Sequence, residues 1–61
     1  MTGKNFKQIR RKLGLSQSKL AKVMGVTVTA LARWERGERP ISGPVVLCMK
    51  LLLEKHERGE R

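Results

Sequence analysis

The 61-residue chain carries fourteen Lys and Arg against five Asp and Glu, a formal charge of +9, with 39% hydrophobic and only 3% aromatic residues. That length fits one small domain and argues against a large enclosed active site, because short chains bury a small share of their surface. The charge exceeds what solubility requires and points to an anionic partner, either nucleic acid or an anionic membrane surface.

The first helix is expected from Gly3 to Leu13, capped by Thr2, with Phe6, Ile9 and Leu13 at helical spacing and Lys4, Lys7, Arg10, Arg11 and Lys12 between them. Gly14 supplies its stop. The second helix starts at the cap candidate Ser16, carries Leu20, Ala21 and Met24 on one face, and ends at Gly25. After the short connection Gly25-Val26-Thr27, Thr27 caps a third helix, Val28 to Arg36, ended by Gly37. Pro40 and Ser42-Gly43-Pro44 punctuate the next turn, and Pro44 suits the first position of a fourth helix running to about Glu57. The domain is expected to span residues 1–58, with a fraying tail over 59–61.

Two short helices across a tight Gly-containing turn, in the stretch GLSQSKLAKVMGVTVTALARWERGERP, form the arrangement expected of a helix-turn-helix. Leu13-Gly14-Leu15-Ser16-Gln17, Leu20-Ala21, Gly25-Val26, Leu31 and Trp34-Glu35-Arg36-Gly37 together resemble the phage-repressor and Cro type of bacterial regulator, the XRE-like family. The resemblance covers roughly Phe6 to Lys55. It implies an all-α, compact four-helix, lambda-repressor-like DNA-binding domain in which helices 2 and 3 form the helix-turn-helix. It also implies a transcriptional regulator, most simply a dimeric autorepressor of a bacterial or phage operon. An antitoxin-type module that binds its own operator and holds a toxin is the other reading.

At about 100° per residue the third helix has two faces. Ala30, Leu31 and Trp34 fall on one side and can close a core with Phe6, Ile9, Leu20 and Met24. Val28, Thr29, Ala32, Arg33 and Arg36 fall on the other, where short side chains would let the helix approach base edges. Arg33 can donate two hydrogen bonds to guanine O6 and N7, and Val28 and Thr29 can meet a thymine methyl. Val28 and Ala32 equally suit an ordinary solvent-facing position. In related proteins the first turn of this helix meets the bases, which maps onto Thr27, Val28 and Thr29, with Arg33 one turn later.

Phosphates are favoured at helix N-termini, where Ser16 and Gln17 sit. The resemblance gives Gln17 a phosphate-clamping role; as a residue alone it is equally a helix-starting surface position. Lys19, Lys22, Arg36 and Arg39 are further phosphate candidates. Residues at the positions of Arg10 and Glu35 pair in the family, an arrangement that would orient Arg10 toward the DNA backbone; two unpaired surface charges are the other possibility.

On the fourth helix the apolar residues Val45 to Met49 and Leu51 to Leu53 sweep about 260°, far more than a one-sided helix needs. Val46, Leu47, Leu51 and Leu53 are the expected twofold dimer contacts; a monomer with a central fourth helix is the competing arrangement.

Cys48 is the single cysteine and His56 the single histidine, which excludes a disulfide framework and a structural zinc site. Cys48 is expected to pack as a small buried hydrophobe. No cofactor, metal or small-molecule effector is expected, and nothing resembling a nucleophile and base surrounds His56, so the chain reads as a non-enzyme. The N-terminal MTGKNFKQ lacks a signal-peptide core and Val45 to Met49 is too short to span a bilayer. The expected setting is therefore the cytoplasm of a bacterial cell, at the nucleoid, away from membranes.

Overall fold

The computed structural model describes residues 1–59, so most of the expected fraying tail lies outside the described residues. Four helices follow in order: α1 (Gly3–Lys12), α2 (Gln17–Met24), α3 (Val28–Glu35) and α4 (Gly43–Glu57). No strand occurs among the described residues.

Local chemistry explains the starts. Thr2 Oγ1 accepts from the Asn5 N–H at 3.1 Å, Ser16 Oγ from the Lys19 N–H at 3.1 Å, and Thr27 Oγ1 from the Ala30 N–H at 3.1 Å. Each hydroxyl satisfies an amide that its helix cannot. Between α2 and α3 the chain turns at Gly25, whose φ of 73° lies in the left-handed region that a Cβ disfavours. The Val26 N–H then reaches back to the Ala21 carbonyl at 3.0 Å, closing α2, and three residues, Gly25 to Thr27, separate it from α3.

Boundaries differ from expectation by one residue in three places. Leu13 and Arg36 are C-caps rather than the last helical residues. Helix α4 opens at Gly43, so Pro44 takes the second helical position, still within the turn whose amides have no helical acceptor.

All four helices supply the core. Phe6, Leu20, Leu31 and Met49 are fully buried and Ala21 nearly so, with Ile9, Leu15, Met24, Val26, Trp34, Ile41, Val45 and Leu52 packed around them. Trp34 is half-buried, its ring tilted against Phe6 with centroids 6.0 Å apart. Helix α1 comes close to the end of α3 at Gly3, where a Cβ would lie 2.4 Å from the Trp34 carbonyl oxygen. Cys48, expected inside, is only half-buried, because its position flanks the inward row Val45, Met49 and Leu52.

Candidate nucleic-acid interface

The core contacts of α3 leave one side of the helix outward. Leu31 is buried and Trp34 packs on the core, while Val28, Thr29, Arg33 and Arg36 are exposed and Ala32 is half-buried between them. Val28 is 41% exposed, less than Val23, Leu47 and Leu51. At the head of the helix, the oxygen of Thr27 is occupied by the Ala30 amide, which leaves its hydroxyl proton free to donate. The outward first turn thus offers methyl groups and small hydroxyls, and Arg33 is its neighbouring long polar side chain.

The start of α2 lies against the end of α3. Gln17 Nε2 donates to Glu35 Oε1 at 3.0 Å, and Ser16 and the exposed Lys19 begin the same helix. Backbone amides in this first turn lack helical acceptors, so the turn suits a phosphate oxygen.

Glu35 is held from two sides. Arg10 Nε donates to its Oε2 at 2.6 Å and Arg10 Nη2 to its Oε1 at 3.3 Å, while Arg10 Nη1 donates to the Leu15 carbonyl at 3.0 Å. The two side chains are 12% and 4% exposed. The pair therefore exists, and three of the five Arg10 N–H groups are spent on it and on the Leu15 carbonyl, tying α1 to the end of α3 and to the loop before α2. With Glu35 enclosed in this way, its charge is compensated before any phosphate approaches.

Arg36 is exposed and paired with Glu38, a partner that the helical pattern alone does not suggest. The Arg36 hydrogen bond holds the Glu38 carboxyl below the usual carboxylate range. The signal was present as an acid two residues on, within Arg36-Gly37-Glu38-Arg39. Lys22 and Arg39 are exposed, Lys22 on α2 and Arg39 beyond α3. The structure thus leaves Val28, Thr29 and Arg33 exposed on α3 with the exposed cap Thr27 at its head, places Gln17 beside the far end of the helix, and commits Arg10 to Glu35 and the Leu15 carbonyl.

A helix-turn-helix family model matches residues 6–47, well over half of the chain. The chain belongs to this family. It is an XRE-like helix-turn-helix transcriptional regulator that binds double-stranded DNA, with α2 and α3 as the two helices of the motif. No curated protein and no solved structure matches it. Among the described residues of this helix-turn-helix regulator, no helix is long and apolar enough to cross a membrane, and no group of three or more His, Cys, Asp or Glu side chains could hold a metal.

Proposed function

We propose that this regulator is a dimeric repressor that reads an inverted repeat through α3 and blocks polymerase at the promoter of its own operon, at the nucleoid in the bacterial cytoplasm. The exposed face of α3 carries the proposal, because it combines short side chains that permit close approach with one guanidinium long enough to reach a base. In this reading Thr27, Val28 and Thr29 meet bases in the first turn and Arg33 pairs with a guanine. Ser16, Gln17, Lys19, Lys22, Arg36 and Arg39 bind phosphates. A toxin-type protein partner has the outer side of α4 available to it, where Leu47 and Leu51 are exposed.

Selection on random-sequence duplexes tests the reading. The expected product is an inverted repeat whose half-site centres lie about one helical turn, roughly 34 Å, apart. Repeating the selection with Arg33→Ala should cost about 1–3 kcal/mol and relax the preference at one base pair per half-site. No enrichment with the parent protein at any salt concentration would overturn specific readout.

A further inference from the structure

Helix α1 carries five cations and no acid. Arg10 is committed to Glu35, and Lys12 faces Glu57 on α4 at 3.9 Å. Lys4, Lys7 and Arg11 remain exposed, at spacings of three and four residues that put them along one stripe of the helix. Like charges so spaced repel, and Lys4 lies in the first turn, where the helix dipole also disfavours a cation. Among the described residues no ion pair offsets these costs, and local rules broken without internal compensation are expected at functional surfaces.

The place of the stripe is fixed by its neighbours. Gly3 and Arg11 lie four residues before and after Lys7, and Arg10 three after, on adjoining parts of the same face. A Cβ at Gly3 would meet the Trp34 and Glu35 carbonyl oxygens at 2.4 and 2.7 Å, and Arg10 grips the Glu35 carboxylate. Lys7 is therefore bracketed by two residues that touch the last turn of α3, beside the Gln17 side chain. That is the end of α3 remote from its base-reading turn.

We propose that Lys7 and Arg11, with Lys4 beyond them, form an additional phosphate-binding ridge on α1 that extends the DNA contact past the helix-turn-helix along the same duplex. A membrane surface would present the same anionic chemistry, but Phe6 is fully buried and Ile9 packs on the core, so α1 has no apolar face to insert. DNA is the partner this chain already binds, and the ridge adjoins the motif that binds it.

The test is the salt dependence of binding to a long random-sequence duplex, which does not depend on base readout. Removing one phosphate-binding cation should flatten the slope of log affinity against log salt by about one. Lys7→Gln with Arg11→Gln should thus lower the slope by about two, with unchanged thermal unfolding. Lys55→Gln, at an exposed position of α4, serves as the control for bulk charge and should leave the slope as it is. An unchanged slope in the double variant, or an equal loss per charge in Lys55→Gln, would overturn the ridge. So would retention of the parent on anionic vesicles that the double variant abolishes while the DNA slope stays the same. Absence of specific enrichment in the duplex selection would remove base readout and leave this result standing.

Discussion

Glu35 places a negative charge on the second helix of a DNA-binding motif, and it is tolerated because Arg10 and Gln17 close over it. A carboxylate only 4% exposed gains from the pair only while both partners are present. Glu35→Ala leaves the Arg10 guanidinium enclosed without its counter-charge and should destabilise by about 3–5 kcal/mol in urea unfolding. Arg10→Met combined with Glu35→Leu replaces the pair by apolar volume and should recover most of that stability. The recovered protein separates folding from binding. Gln17 then has no acceptor to hold its amide, so affinity should fall on all duplexes alike. A stable double variant with parental affinity would show that Gln17 needs no such support. The Arg10 to Glu35 pair was legible through family resemblance, whereas the Gln17 bond was not. It joins residues 18 apart on different helices, and sequence spacing alone does not reveal that approach.

At the scale of helices, the readable features were those with short-range causes. Thr2, Ser16 and Thr27 cap as their residue types imply, and Gly25 turns where a left-handed φ is needed. The two faces of α3 follow from periodicity, and Leu31 is buried while Val28 and Arg33 are exposed as that period requires. What periodicity could not provide is how closely two helices approach. Gly3 is the instance: a poor helix former at the head of α1 proved to be the point where α1 rests on the Trp34 and Glu35 carbonyls. Alanine is the better helix former by about 1 kcal/mol, yet its Cβ would meet backbone atoms that cannot rotate away. Gly3→Ala should therefore destabilise by about 1–3 kcal/mol, the usual cost of overpacking. Gly43→Ala, at the first position of α4 with open space around it, should instead be neutral or stabilise by up to about 1 kcal/mol. Thermal unfolding of the two variants gives the comparison, and equal effects would show that the contact at Gly3 yields without cost.

For the whole molecule the decisive matter is what covers α4. The broad apolar arc read from the sequence did not say which part serves the monomer, because a period places residues around a helix without locating its neighbours. In the fold, Met49 is buried, Val45 and Leu52 pack on the core, and Val46 and Leu53 are half-buried at the flank. Leu47 and Leu51 are left 58% and 54% exposed, one turn apart on the outer side. Of the four residues expected at a dimer contact, these two form an outward pair and the other two stand beside it. Two such strips can meet about a twofold axis, and a body measuring 32 × 20 × 18 Å is of a size to set two recognition helices about one DNA turn apart, roughly 34 Å. Leu51→Glu should leave the monomer core intact, since Leu51 is outside it, while burying a charge in any contact formed there. The parent is expected to sediment as a dimer at micromolar concentration and Leu51→Glu as a monomer, with unfolding of the monomer little changed. On a selected inverted repeat, the variant should lose the cooperative filling of two half-sites yet keep its affinity for one. Parental protein that stays monomeric both free and on that repeat would rule out α4 as a homodimer surface and leave its outer strip to another protein.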